Sequence, residues 1–165
     1  MVTNAFSEQI TLFPPPYRYI IDTCSIISQK QDEPHRRSVY STLWKRIDDL
    51  VKSKVIVVCS EIMDEVEDEK LQLWLQQNGC EILNADAAIQ QNVSKIVNEH
   101  PKLLDFTNMK SSGDAFLIAT AMKYNIAVIT EEEKKSYKRI PKICEAYNIP
   151  CYDLTELADK EGWIF

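Results

Sequence analysis

The order of apolar segments in this chain predicts an α/β domain, three-layer α/β/α around a central, mostly parallel sheet. Short runs rich in aromatic and β-branched residues recur at residues 17–21, 55–59 and 126–130, and a last strand is expected near 149–152. Their length suits strands covered on both faces, as in parallel sheets. Between them lie longer segments whose apolar residues return at helical spacing, and strand alternating with helix is the pattern of crossover connections. At 165 residues the chain is long enough for one domain with a sizeable core.

Residues 1–16 end in Pro14, Pro15 and Pro16 and are expected to form an extended arm, leaving residues 17–165 as a single domain. The first strand runs up to Asp22. An acid there either sits at the ligand-binding carboxyl edge of a parallel sheet or caps the turn opened by Thr23, Cys24 and Ser25. Residues 29–37 are polar, contain Pro34 and read as a loop. Tyr40, Leu43, Trp44, Ile47, Leu50 and Val51 then form the apolar stripe of an amphipathic helix, more readily core than binding surface.

After the second strand, Ser60 is a credible N-cap for a helix spanning 61–77. At ~100° per residue, Glu65 lies roughly 60° from Ile62, on the rim of the buried face, and can look towards the sheet edge. Glu69, a turn farther on, is the second choice. The Asn78-Gly79 turn introduces a third strand at 80–83, and Ala88, Ile89, Val93, Ile96 and Val97 mark another helix. Residues 101–112 read as irregular. They deliver the chain to Gly113-Asp114 and an almost wholly apolar helix, which Asp114 could simply cap. The fourth strand ends in Thr130 followed by Glu131, Glu132 and Glu133. A short helix at 143–147, a last strand at 149–152 and a helix from 155 towards 162 complete the chain.

Composition excludes several classes of function. The net charge of -6, from 25 acidic and 19 basic residues, means that any nucleic-acid contact must be local or metal-mediated. The 5 cysteines show no Cys-x-x-Cys spacing, and His35 and His100 are far apart, so a disulfide framework or zinc site is not expected. No apolar run approaches the ~18 residues of a membrane span, and nothing resembles a signal peptide. Cytoplasmic location is the default expectation.

Asp22, Glu65, Asp114 and Glu131, with Glu132 as a rival to the last, all fall where a parallel sheet presents its carboxyl edge. Clustered carboxylates raise one another's pKa unless a cation neutralises them. Oxygen donors without His or Cys favour Mg²⁺ or Mn²⁺, as one or two ions. Such ions serve phosphodiester hydrolysis by activating water and polarising a phosphate.

The segments Tyr19-Ile-Ile-Asp-Thr-Cys-Ser-Ile-Ile, the helix holding Glu65, Ser112-Gly113-Asp114-Ala-Phe-Leu-Ile-Ala and Val128-Ile-Thr-Glu-Glu resemble the successive acidic motifs of PIN-domain nucleases. The tail from Lys142 to Leu154, with Gly162-Trp-Ile-Phe, is similar to the bacterial DUF4411-containing branch of that superfamily. The resemblance spans about residues 17–165. It implies a metal-dependent endoribonuclease, often the toxin of a toxin–antitoxin pair, with Asp22, Glu65 and Asp114 as core acids and Glu131 at the variable fourth position. It also implies an RNA substrate, a cognate antitoxin and, commonly, a homodimer. Cys24 stands where many members carry Ser or Asn, which suggests that a polar group near the site is missing.

Two other readings remain open at this level: a PIN-like protein that binds RNA or a protein without cleaving, and a Mg²⁺-binding phosphoacceptor receiver domain. The latter wants paired acids after the first strand and a late-strand lysine, whereas here Thr23 follows Asp22 and glutamates follow Thr130. For substrate contacts the densest basic surface is Lys134, Lys135, Lys138, Arg139 and Lys142, with Tyr137 as a stacking platform. Arg36 and Arg37 form a smaller group, and for both the plain alternative is a solvated loop.

Overall fold

The computed structural model describes residues 14–103 and 112–165. The arm expected at residues 1–16 lies almost wholly outside them. Five strands, β1 (Tyr19–Ile21), β2 (Ile56–Cys59), β3 (Glu81–Leu83), β4 (Ala127–Ile129) and β5 (Cys151–Tyr152), form one sheet in the order β3-β2-β1-β4-β5. Every pairing is parallel. A receiver-type sheet runs 2-1-3-4-5, so the strand order rules that alternative out.

The connecting helices are α1 (Thr23–Ile27), α2 (Ser41–Lys52), α3 (Ser60–Glu65), α4 (Glu69–Gln77), α5 (Ala87–Glu99), α6 (Ser112–Tyr124), α7 (Ile140–Ala146) and α8 (Leu154–Glu161). β1, β2 and β4 are buried at every residue, which explains their unbroken apolar sequences. Trp44 and Ile47 of α2, Ile62 of α3 and Ile96 of α5 are fully buried, each such side chain contributing about 1.5–3 kcal/mol relative to exposure. α6 is buried nearly all round, from Ala115 to Ala121 with only Phe116 partly open, as its apolar sequence predicts. Among the described residues no helix is long and apolar enough to cross a membrane.

The single helix expected over 61–77 is two. α3 stops at Glu65 because Val66 turns extended (φ -77°, ψ 95°). Asp68 then caps α4, its carboxylate accepting from the Lys70 and Leu71 amides at 2.9 and 3.2 Å. An internal aspartate with no apolar partner was in fact a helix start. Ser60 is the first residue of α3 and not its cap, and Cys59 in the cap position makes no side-chain cap bond. Within the segment read as irregular, Pro101–Leu103 is a single 3-10 turn, and residues 104–111 lie outside the described set.

The strand order reverses between β1 and β4, because β2 and β3 extend the sheet to one side and β5 to the other. The crevice beyond the carboxyl ends of two such strands is where open α/β sheets bind ligands. Ile21 pairs with Ile129, so Asp22 and Thr130 are the next residues out on neighbouring strands. The Asp22 amide extends the ladder by donating to the Ile129 carbonyl at 2.9 Å.

Candidate active site

Asp22 is both strand end and helix cap, so the two readings of its position are compatible. Its Oδ1 accepts from the Thr23 amide at 2.7 Å and opens α1. Its Oδ2 accepts from the Thr130 hydroxyl at 2.9 Å and from the Cys24 thiol at 2.8 Å. Burial pushes its pKa up, and the Cys24, Thr130 and Thr23 bonds oppose that rise. The polar group thought to be missing at position 24 is therefore present as a thiol donor. Cys24 Sγ also accepts from the Glu131 amide at 3.3 Å, tying β4 to α1.

Glu65 is the last residue of α3. Its Oε2 accepts from the Thr23 hydroxyl at 3.2 Å, and the Gly113 backbone is also hydrogen-bonded to its carboxylate. A Cβ at Gly113 would lie 2.2 Å from Glu65 Oε1, so a larger residue there would require the Glu65 carboxylate to move from this position against the first turn of α6. Burial raises the Glu65 pKa, the Thr23 hydroxyl opposes it, and the charge of Asp22 adds to the rise. Glu69, the second choice in this region, is exposed at the start of α4.

Asp114 is inside the first turn of α6 and does not cap it, since the helix already begins at Ser112. Its carboxyl is pushed up to about 8, first by burial, then by the charges of Asp22, Glu132 and Glu65, with Arg139 opposing. Asp22, Glu65, Asp114 and Glu132 thus share one electrostatic environment. Glu132 is fixed there by the Ile140 amide, which donates to Oε2 at 2.9 Å at the start of α7, and by Arg139 Nη1 at 3.6 Å from Oε1.

Glu131, the first choice for the fourth acid, turns elsewhere. Its Oε1 accepts from the Leu154 amide at 2.7 Å, at the start of α8. Burial raises its pKa, and the Leu154 bond opposes this. Consecutive glutamates after β4 therefore anchor two different helices by their first amides. Both lie beyond the end of β4 at Ile129, so the helix amide that each one meets, and not strand alternation, sets its direction.

Several basic residues have structural duties. Arg37 packs over both Trp44 and Trp74, with its guanidinium 5.4 and 5.5 Å from their ring centroids, which are themselves 6.0 Å apart. It pairs with both oxygens of Asp48 at 3.0 and 2.7 Å, which gives its guanidinium a structural partner; Arg36 beside it is exposed. Lys134 pairs with Asp153 at 3.1 Å and with Glu156, and Lys142 with Glu145 at 2.9 Å. Lys135 and Lys138 are exposed and, among the described residues, appear in no ion pair; Tyr137 is 86% exposed.

The donor chemistry of Asp22, Glu65, Asp114 and Glu132, all hard oxygen with one opposing cation in Arg139, fits Mg²⁺ or Mn²⁺. Among the described residues, however, no three His, Cys, Asp or Glu side chains stand close enough together to chelate one ion. The roles missed at the sequence level are those of the acids' partners Thr130, Thr23 and Gly113, while Arg139, expected in the basic substrate surface, pairs with Glu132. Only Thr130 had a positional signal, as the fourth-strand counterpart of Asp22.

Solved structures share the fold at low identity. VapBC2 from Rickettsia felis, bound to a DNA fragment from its promoter, aligns with a TM-score of 0.52 and 20% identity over 82% of this chain and 97% of that chain. FitAcB from Neisseria gonorrhoeae aligns with a TM-score of 0.51 and 15% identity over 83% and 98%. PAE2754 from Pyrobaculum aerophilum gives 0.52 and 10% over 88% and 97%. No curated protein matches the chain. The model of the family described as Domain of unknown function (DUF4411) matches residues 19–165. With that match covering nearly its whole length, the chain belongs to the DUF4411 family.

Proposed function

We propose that the chain is a metal-dependent endoribonuclease and the toxin component of a bacterial toxin–antitoxin pair. The observation that carries this reading is Asp114, mostly buried at the strand-order reversal with its pKa raised to about 8 by burial and by Asp22, Glu132 and Glu65. So much like charge at a ligand-binding crevice is what a divalent cation would relieve. Asp22, Glu65, Asp114 and Glu132 would hold Mg²⁺ or Mn²⁺, with Glu131 in a supporting role through α8. The ion, when bound, supplies Lewis-acid polarisation of a phosphate and a lowered pKa for water.

Thr130, Cys24 and Thr23 orient Asp22 and Glu65 through the bonds described, so the acids need little reorganisation to act. Lys135 and Lys138, with Tyr137, are the groups best able to meet flanking phosphates and a base. Lys134 would have to leave Asp153 and Glu156 to join them. A cognate antitoxin is the expected protein partner, and a homodimer is the expected assembly. The absence of chelating geometry among the described residues favours a second reading, an RNA- or protein-binding PIN fold without cleavage. Incubation of a mixed-sequence single-stranded RNA with Mn²⁺ decides between them. Cleavage by the parent and its loss in Asp114→Asn are expected, and an uncut RNA with the parent would leave the binding reading.

A further inference from the structure

Among the charges acting on Asp22, Glu65, Asp114 and Glu132, the one cation is Arg139. Burial raises the pKa of Asp114 and of Glu132, and the charge of Arg139 opposes the rise at both. Its guanidinium Nη1 lies 3.6 Å from Glu132 Oε1, and its side chain is 56% exposed. That separation is longer than a hydrogen bond, so so exposed a pair holds the guanidinium weakly. Among the described residues it is the only ion pair that Arg139 makes. The backbone is held more firmly: Arg139 precedes α7 in extended conformation (φ -108°, ψ 157°), its amide donates to the Ser136 carbonyl at 3.2 Å, and its carbonyl accepts from the Ile143 amide at 3.3 Å. A fixed root carries a loosely held head.

The other basic groups described above are engaged elsewhere or stand in solvent. Lys134 pairs with Asp153 and Glu156, Lys142 with Glu145 and Arg37 with Asp48, while Lys135 and Lys138 are exposed. Glu132 does not depend on Arg139 for its place, because the Ile140 amide donates to its other oxygen at 2.9 Å. Once Glu132 is neutralised, the guanidinium has no partner left among the described residues, and anything bound through Glu132 lies within its reach. An anion is the ligand that suits it. The guanidinium presents its N–H donors in a planar fork that matches two oxygens of one phosphate, and it keeps its protons at any working pH.

We infer that Arg139 exchanges Glu132 for the two non-bridging oxygens of the phosphate being cleaved and stabilises the negative charge that gathers there in the transition state. The inference rests on the nuclease reading above, and it separates Arg139, at the scissile phosphate, from Lys135 and Lys138, which are left to its neighbours. In that hydrolysis water adds to phosphorus, the bond to the leaving oxygen breaks, and that oxygen departs with the proton the water gives up. Arg139 gives and takes no proton, so its part is charge and orientation alone.

The test measures two quantities for the parent, Arg139→Ala and Arg139→Lys: the single-turnover rate of RNA cleavage with Mn²⁺, and the Mn²⁺ concentration that gives half of the rise in melting temperature. Arg139→Ala should lose about 100-fold in cleavage rate. Arg139→Lys keeps the charge facing Glu132 and loses the fork, so it should melt as the parent does and lose about tenfold. The half-effective Mn²⁺ concentration should be no higher in Arg139→Ala, because a charge that repels the ion is gone. A higher one would mean that Arg139 only positions Glu132, and would overturn the inference. A parent-like cleavage rate in either variant would overturn it too, and Arg139→Lys carries that test alone if Arg139→Ala does not fold. Cleavage by the parent in the same experiment would show that the nuclease reading survives such a failure, whereas RNA left uncut by the parent would overturn both.

Discussion

The Thr130 hydroxyl donates to Asp22 Oδ2 at 2.9 Å, across the boundary between β1 and β4 where the strand order reverses. The bond lies where two neighbouring strands end in register, and Thr130 is 2% exposed. A hydrogen bond to a charged group is worth about 1.5–3 kcal/mol. Thr130→Val, nearly isosteric, should therefore lower the melting temperature by several degrees and reduce cleavage, while Thr130→Ser should keep most of both. Calorimetry and a cleavage time course on the two variants check this.

Asp114 predicts an inverted pH dependence in the metal-free protein. Its carboxyl keeps its proton up to about 8 when folded and loses it near the ordinary 3.8 when unfolded. Between those values the unfolded chain binds fewer protons, so stability falls as pH rises through the window. Asp114→Asn should flatten that fall and raise the metal-free melting temperature at pH 8 by about 2–6 °C. The same variant should lose the stabilisation that Mn²⁺ gives the parent. Melting scans from pH 5 to 9 in EDTA are the measurement.

The neighbouring glutamates should separate by function. Glu131→Ala removes the acceptor from the first amide of α8, a capping-type loss of about 1 kcal/mol, and should leave metal-dependent cleavage within a few-fold. Glu132→Gln should lower cleavage at least tenfold while changing stability little, because the amide side chain still accepts from Ile140. The reverse pattern in paired activity and melting assays would restore Glu131 to the fourth position.

At Cys24 the prediction concerns the donor and not the sulfur. Cys24→Ser should retain activity within about threefold. Cys24→Ala removes the bond to Asp22 Oδ2 and should cost about tenfold in kcat. Equal kcat for the two variants would mean that the 2.8 Å contact does no positioning.

Much of this arrangement was legible in the sequence for simple reasons. Runs such as Ile20-Ile21 and Val57-Val58 are buried on both faces, so their continuity announced a parallel sheet, and the stripe of Trp44, Ile47 and Val51 gave the period of α2. Strand-end acids follow from that topology, which is how Asp22 could be read. Side-chain direction after a strand was less legible: the choice between Glu131 and Glu132 depends on which helix amide each one meets. The role of Arg37 was hidden because Trp44, Trp74 and Asp48 converge on it from two helices. The need for a small residue at Gly113 came into view only with Glu65 placed against it.

The central claim, that the carboxylates around Asp22 form a divalent-metal centre, is tested most directly by the melting temperature of the parent and of Asp22→Asn with and without millimolar Mn²⁺. A ligand bound only by the folded state stabilises it by mass action, so the parent should gain several degrees and the variant should lose most of that gain. A shift of the same size in both proteins would place the ion elsewhere and contradict the account.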